Sequence, residues 1–197
     1  MKPERFDAFF DAVFAIILTI MVLEFKAPTD TSWRGLFSLI GPLIAYLISF
    51  FVLWTTWYSN HLLFRAVTQI SYKMYWIMGV NILLLSFLPF MTSWIGEDLF
   101  AVIPAVAYMV LNVLSFFSYH LLTEPEAFKY TPKALRPQVH NSWRINLLRI
   151  LALGIGLVTI WYFPPISLIV LIFFASLHIS EHLLNWKRSN NGFIKVE

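Results

Sequence analysis

The sequence predicts an all-α, polytopic membrane protein, and three observations carry that prediction. The 197 residues are 59% hydrophobic and only 13% charged, which is about half the charged fraction of an average soluble domain. The mean hydropathy is +0.71 over the whole chain. The apolar residues also fall in long runs, and a membrane-spanning helix needs about 20 consecutive, mainly apolar residues.

Six runs satisfy this length, and the gaps between them have local causes. Pro28 and Asp30 end the first run, and Phe163-Pro164-Pro165 force a turn between the last two, because proline cannot continue a helix. Leu88-Pro89-Phe90 predict a kink within the third run. The chain is therefore expected to form one domain over residues 1–197, with spans at residues 6–26, 36–62, 74–95, 99–122, 144–162 and 165–185, and one long polar link at 123–143.

The basic residues predict how these spans are oriented. Six spans place the N-terminus, the 65–73 loop, the 123–143 link and the C-terminus on one side. All 14 Lys and Arg residues except Lys26 and Arg34 belong to that side. Because Lys and Arg concentrate in cytoplasmic loops, both termini are expected in the cytoplasm, and the basic residues report topology rather than nucleic-acid binding.

The first span carries a stripe that can line an ion pathway. Ala12, Ile16, Thr19, Ile20 and Leu23 share one face of a helix with 3.6 residues per turn. A single six-helix chain has too few polar residues to enclose a wet channel, but several copies around an axis can. Rings of apolar side chains would then form constrictions that gate by dewetting, with the threonine hydroxyls between them. The alternative interpretation of such a stripe is lipid contact or helix packing.

A group of polar side chains is predicted at the cytoplasmic end of this stripe. Asp11 lies at its edge, and Arg5 lies about 9 Å below along the axis. Trp57 and His61 are four residues apart near the cytoplasmic end of the second span, and Asn81 lies in the third. These groups can satisfy one another in a low dielectric, so we expect a structural network. The alternative is an interfacial tryptophan with a nearby histidine.

The same residues resemble those of a known family. Arg5 followed by Phe9-Phe10-Asp11 is similar to the Arg-x-x-x-Phe-Ser-Asp motif in the first helix of the transmembrane protein 175 potassium channels, which act in endosomes and lysosomes and have prokaryotic relatives. Trp57, His61 and Phe64 resemble the second-helix pattern, and Asn81 with Leu88-Pro89-Phe90 resembles the third. The sequence departs from the motif at Phe10, which replaces the serine and removes a hydroxyl from the network.

The resemblance implies a fold, an assembly and a function. It implies a homotetramer of six-helix subunits in a bacterial plasma membrane, with the first helix of each subunit lining a central pore. It implies a potassium-selective or potassium-preferring cation channel, not an enzyme, without a carbonyl selectivity filter; the sequence has no Thr-Val-Gly-Tyr-Gly loop. Ile16 corresponds to the hydrophobic constriction, and Thr19, Ile20 and Leu23 to the next layers. The expected partners are other copies, lipid and permeant potassium, with no nucleic acid, cofactor or resident metal.

Two other constellations point to different chemistry. His178-Ile-Ser-Glu181-His182 fits the zinc-protease pattern H-x-x-E-H, but only Glu197 follows as a third ligand, so an interfacial helix end is the better interpretation. His120 with His178 and His182 has the residue type for haem ligation, with nothing else in support.

The rival function is a proton-coupled secondary transporter, with Asp11 and His61 as a proton relay. Such transporters are usually built from internal repeats, and this sequence shows none. A purely structural membrane protein is the remaining alternative. The absence of cysteine excludes disulfides, thiolate zinc sites and cysteine nucleophiles.

Overall fold

The computed structural model describes residues 2–139 and 143–193, with the side chains of 137, 138, 178 and 181–193 outside that description. Within those ranges all regular structure is helical, which confirms the predicted all-α class. The helices are α1 (Pro3–Leu23), α2 (Trp33–Ser38), α3 (Ile40–Ala66), α4 (Tyr72–Ser86), α5 (Leu88–Glu97), α6 (Val102–Phe116), a π-helical segment (Phe117–Thr123), α7 (Glu124–Lys129), α8 (Arg136–Val139), α9 (Trp143–Thr159) and α10 (Ile166–Phe193).

Four helical stretches are long and apolar enough to cross a membrane. They are Pro3–Leu23, Trp33–Ala66, Tyr72–Glu97 and Val102–Lys129. The second and third contain the predicted spans 36–62 and 74–95, and the first and fourth overlap the predicted spans 6–26 and 99–122 except for three residues each. The last two predicted spans correspond to α9, with 17 residues, and to the apolar part of α10, Ile166–Leu177. Both are helical but shorter than the other four over the described residues.

The fourth helical stretch runs further than the sequence predicted. Its π-helical segment continues directly into α7 as far as Lys129, so the first part of the predicted polar link at 123–143 is helical. Pro125 lies in the first turn of α7, directly after the π-helical segment. Glu126 in α7 is buried yet satisfied, since its carboxylate accepts hydrogen bonds from Lys129 at 2.6 Å and from Ser71 at 3.1 Å.

The helix is interrupted at the position where the sequence predicts a kink. α4 ends at Ser86 and α5 begins at Leu88, with Pro89 in its first turn. The backbone N–H of Phe87 donates to Leu84 O, three residues back rather than four. Proline has no N–H and its ring crowds the preceding turn. The regular backbone hydrogen bonds of α4 therefore stop before Pro89, and a new series begins in α5.

Side-chain contacts show that successive long helices run in opposite directions. At one end, Phe6 of α1 meets Phe64 near the end of α3, with ring centroids 5.5 Å apart. At the other end, Lys26 lies 3.5 Å from Glu97, just beyond α1 and at the end of α5. This alternation agrees with the side-to-side order that the sequence predicted.

One face of α1 is packed into the bundle. Its buried side chains are all large and apolar: Phe6, Phe10, Phe14, Ile17 and Met21. Phe10, which stands where the resembling family has serine, is 1% exposed and lies 5.1 Å from the ring of Phe64. This residue therefore anchors α1 to α3 by aromatic packing and takes no part in a polar network.

Candidate ion pathway and polar cluster

The opposite face of α1 is free. Ile16, Ile20 and Leu23 are 57%, 40% and 79% exposed, and Ala12 and Thr19 are exposed as well. These five residues are the stripe that the sequence predicted for a pore wall. None of the residues that the structure describes covers them, so the stripe is available to lipid or to other copies of the chain.

Thr19 is the one polar side chain on this stripe. Its hydroxyl donates to the backbone oxygen of Ile16 at 2.9 Å, with Ala15 O at 3.1 Å. Because the hydroxyl proton is used inside the helix, the lone pairs of Oγ1 remain available on the exposed side. The stripe thus presents one oxygen acceptor between apolar layers, able to contact water or a cation.

A polar cluster joins the first half of α1 to the end of α3. Trp57 Nε1 donates to Asp11 Oδ1 at 2.7 Å. His61 Nδ1 lies 3.0 Å from Asp7 Oδ2. The imidazole of His61 also stacks on the indole of Trp57, with ring centroids 5.8 Å apart and planes 18° apart. The two polar contacts therefore join α1 to α3 at one level, and the ring contact within α3 fixes the orientation of the His61 imidazole.

The structure brings together three of the five residues predicted for the network, namely Asp11, Trp57 and His61. Arg5 is exposed and forms no hydrogen bond or ion pair within the described part of the chain, so the expected pairing with Asp11 is corrected. Six positions along a helix place Arg5 and Asp11 about 120° apart around the axis. Asp7 is four positions from Asp11, on the same face, and that spacing was the signal that the sequence-based reasoning missed.

Asn81 belongs to a different environment. It is buried, and its Nδ2 donates to the backbone oxygen of Ser115 in α6 at 3.2 Å. It lines an interior cavity of about 50 Å³ between α3, α4, α6 and α10, together with Thr55, Ser59 and Asn112. The expectation that Asn81 joins the Asp11 and His61 cluster is therefore corrected: α4 presents it to α6 and not to α1.

One set of side chains in the described residues has the composition and spacing of a metal site. The ligand atoms of Asp7, Asp11 and His61 lie within 4.8 Å of one another. The other predicted constellation, His178, Glu181 and His182, lies outside the described side chains.

The loop after α1 carries fixed negative charge at the other end of the helix. Asp30 accepts hydrogen bonds from the backbone N–H and the hydroxyl of Ser32, both at 2.8 Å. These donors hold the pKa of Asp30 below its usual range, because they stabilise the ionised carboxylate. The nearby Lys26–Glu97 pair is exposed, so it contributes little to stability.

Comparisons with known proteins give a consistent result. The family described as endosomal/lysosomal potassium channel TMEM175 matches residues 5–89. A protein of Chryseobacterium sp. (strain P1-3) that is named a potassium channel is 31% identical over 174 residues, covering 85% of this chain and 88% of that protein. A potassium channel of Chamaesiphon minutus is 34% identical over 101 residues, covering 48% of this chain and 50% of that protein.

A solved structure shares the fold. The crystal structure of a lysosomal potassium-selective channel TMEM175 homolog from Chamaesiphon minutus matches with a TM-score of 0.71. The match covers 89% of this chain and 97% of that chain at 24% sequence identity. The arrangement of helices described above is therefore that of this channel structure.

Proposed function

Because the chain belongs to the TMEM175 family of potassium channels, we propose that it conducts potassium ions through a pore lined by α1 from several copies. The family's named members are ion channels and not enzymes. The observation that carries the proposal is the free face of α1: Ile16, Ile20 and Leu23 are exposed while the opposite face of the same helix is buried. A helix packed on one side only can still line an axis shared between subunits.

We further propose a homotetramer of six-span subunits in a bacterial plasma membrane. The stripe on α1 can form only one wall of a pore. Symmetric copies of the chain around an axis can supply the other walls and enclose an ion pathway. In this arrangement α9 and α10 are the fifth and sixth spans. The excess of Lys and Arg at the end of the bundle that holds the N-terminus supports cytoplasmic termini.

The chemistry of the stripe supports a hydrophobic gate. Rings of Ile16, Ile20 and Leu23 offer a hydrated cation no replacement for its water, so a narrow ring excludes both water and ion until it widens. The ring of Thr19 oxygens between them replaces part of the lost hydration shell. Potassium sheds water at lower cost than sodium, and an incomplete replacement therefore favours potassium without a carbonyl filter.

The polar cluster has a supporting role in this proposal. Trp57 and His61 on α3 hold Asp11 and Asp7 on α1, at the level where the stripe begins. A carboxylate at the edge of a membrane is costly unless it is paired or hydrated. We propose that these contacts fix the rotation of α1 about its own axis, so that the apolar stripe faces the other subunits.

The deciding experiment measures potassium flux in liposomes that contain only the purified protein. The channel proposal expects potassium to move down its own gradient when there is no pH gradient, with weaker sodium flux. The rival proposal, a proton-coupled transporter, expects potassium movement only in fixed proportion to proton movement. Flux that follows the pH gradient one-for-one would exclude the channel mechanism. Empty liposomes and liposomes containing an unrelated helical membrane protein are the controls.

A further inference from the structure

Asp7, Asp11 and His61 form a group that the proposed ion pathway does not use chemically. The two carboxylates lie on one face of α1, and the imidazole reaches them from α3, with all ligand atoms within 4.8 Å. We propose that these three side chains bind a divalent transition-metal ion, best matched by Zn²⁺, which clamps the start of α1 to the end of α3.

The distances are close to those that a bound metal requires. Tetrahedral zinc with bonds of about 2.0–2.2 Å to nitrogen and oxygen places its ligand atoms about 3.3–3.5 Å apart. His61 Nδ1 and Asp7 Oδ2 are already 3.0 Å apart, so a metal between them requires only a small outward shift. Asp11 supplies a third ligand from the next turn of the same helix face.

The types of ligand atom discriminate between metals. An imidazole nitrogen with carboxylate oxygens suits Zn²⁺ and neighbouring transition metals, whereas Mg²⁺ and Ca²⁺ prefer larger sets of oxygen ligands. Two carboxylates also balance the charge of a divalent ion. Arg65, one turn beyond His61, is the nearby cation that acts on Asp7; it is exposed, so solvent screens its opposition to a metal.

The surroundings resemble those that support metal ligands. Trp57 Nε1 donates to Asp11 Oδ1, which orients the carboxylate and leaves Oδ2 for a metal. Such outer hydrogen bonds typically change metal affinity by about 10–100-fold. The stacked indole fixes the plane of the His61 ring. The side chains of His61 and Asp7 remain 23% and 18% exposed, so an ion can enter and water can complete the coordination.

A metal at this position would act on the pathway through α1. The helix carries the exposed stripe on one face and two of the three ligands on another. A bound ion would restrain the movement of α1 relative to α3, and we expect Zn²⁺ to lower potassium flux. This consequence rests on the proposed function, whereas the binding itself does not.

The test measures Zn²⁺ binding to the full chain in detergent, after removal of any affinity tag. We expect calorimetry to show one ion per chain at this site, Zn²⁺ to raise the melting temperature, and Mg²⁺ and Ca²⁺ at equal concentration to leave it unchanged. Co²⁺ should give the visible absorption of a four-coordinate site. The chain has no cysteine, so thiolate ligands cannot contribute to that absorption. His61→Gln and Asp7→Asn should each weaken binding by tenfold or more.

The chain offers a matched control. The sequence has two more histidines at metal-binding spacing, His178 and His182. The double variant His178→Gln with His182→Gln removes them and should retain the Zn²⁺ affinity of the original chain. Loss of binding in this control, with binding kept in His61→Gln, would overturn the inference. So would a melting temperature and Co²⁺ spectrum that do not respond to metal in the unsubstituted chain.

Trp57→Phe keeps all three ligands and removes only the outer hydrogen bond. We expect it to weaken Zn²⁺ binding by about tenfold without abolishing it, which gives a readout even if Asp7→Asn does not fold. Unchanged affinity in Trp57→Phe would contradict the proposed geometry.

The metal site and the channel can fail separately. If the chain binds no Zn²⁺ and its potassium flux does not respond to Zn²⁺, this inference is wrong and the channel proposal stands. If the chain binds Zn²⁺ but carries no potassium flux, the metal site stands and the channel proposal is wrong.

Discussion

In the proposed pathway, selectivity for potassium depends on one atom, the hydroxyl oxygen of Thr19. Its Oγ1 is exposed, and its proton is committed to the backbone oxygens of the preceding turn. An acceptor held in this way can face a cation without rotating away. The apolar neighbours Ile16 and Ile20 offer no such contact, so Thr19 and the two isoleucines should respond differently to substitution.

Thr19→Val keeps the shape of the side chain and removes the oxygen. We expect the preference for potassium over sodium to fall, because nothing then replaces part of the lost hydration shell. Reversal potentials under mixed potassium and sodium gradients measure this preference. Thr19→Ser, which keeps the hydroxyl, is the matched control and should stay close to the original chain. Equal selectivity in the valine and serine variants would remove Thr19 from the selectivity mechanism.

Ile16→Asn tests the apolar constriction. A polar side chain at this ring would keep it wet, so we expect a larger current and a raised sodium leak. Single-channel or liposome flux recordings measure both. Leu83→Asn on α4 is a suitable control, since Leu83 is similarly exposed, at 58%, but lies outside the proposed pore. The pore assignment of Ile16 fails if current and selectivity match those of the unsubstituted chain.

The hydrogen bond between Trp57 and Asp11 gives a stability prediction. Asp11→Ala leaves the indole N–H without its acceptor, and Trp57→Phe removes the donor. A hydrogen bond to a charged group contributes about 1.5–3 kcal/mol, and exposure of Asp11 to solvent reduces that contribution. A double-mutant cycle in unfolding free energy should therefore show coupling of at least about 0.5 kcal/mol. Additive effects of the two substitutions would show that the contact does not stabilise the subunit.

Close packing between α3 and α5 depends on one glycine. A Cβ atom added at Gly96 would lie 2.9 Å from Pro42 Cα, which is backbone and cannot move aside cheaply. Both residues lie near the end of the bundle where α3 begins and α5 ends. The helices approach this closely because Gly96 carries no side chain at the contact, and small residues at helix interfaces are a common way for membrane helices to pack.

Gly96→Ala should therefore destabilise the subunit by about 1–3 kcal/mol through overpacking. Gly79 on α4 is the matched control, because a Cβ atom there meets nothing within 4 Å. Gly79→Ala should be neutral or stabilising, by up to about 1 kcal/mol, since alanine favours a helix over glycine. Thermal unfolding in detergent compares the two. Equal effects at the two positions would show that helix propensity, and not the α3–α5 contact, decides the outcome.

Buried hydroxyl groups tie three helices at the middle of the chain's interior. Ser49 in α3 lies 2.6 Å from the hydroxyl of Tyr108 in α6 and accepts a hydrogen bond from Thr92 in α5 at 2.8 Å. Each hydroxyl satisfies another inside a low-dielectric interior, where an unpaired group would be costly. These contacts hold α3, α5 and α6 together on the packed side of the bundle.

In a single copy of the chain the stripe on α1 is exposed, and the proposed assembly would cover it. If four copies assemble around α1, the native mass in detergent should be four times the 23.0 kDa chain mass. Leu23→Cys, with Leu23 at 79% exposure, should form cross-links between subunits under mild oxidation, since position 23 would face the axis. Val80→Cys on α4 should not. A monomeric mass, or equal cross-linking at the two positions, would contradict the tetrameric pore.

Much of the architecture was predictable because membrane helices are encoded by local patterns, namely long apolar runs and the prolines that interrupt them. The apolar runs predicted the first four spans, Pro89 predicted the break between α4 and α5, and the first-helix stripe was recognised from its spacing alone. The helix that contains the fourth predicted span continues beyond residue 122, because the side chains of Thr123 and Glu124 find hydrogen-bond partners within the bundle. The contact of Asn81 with α6 was also missed, since depth in the membrane does not reveal which neighbour a helix face meets.

The sequence by itself determined that this chain is a helical membrane protein, that its successive long helices alternate in direction, and that it belongs among the TMEM175 potassium channels. Those properties follow from composition, periodicity and motif, which act locally along the chain. Only the tertiary structure decided that Asp7 and not Arg5 joins Asp11 and His61, and that Phe10 packs among aromatic rings. Such partnerships depend on the rotation of each helix about its own axis, and packing between helices sets that rotation.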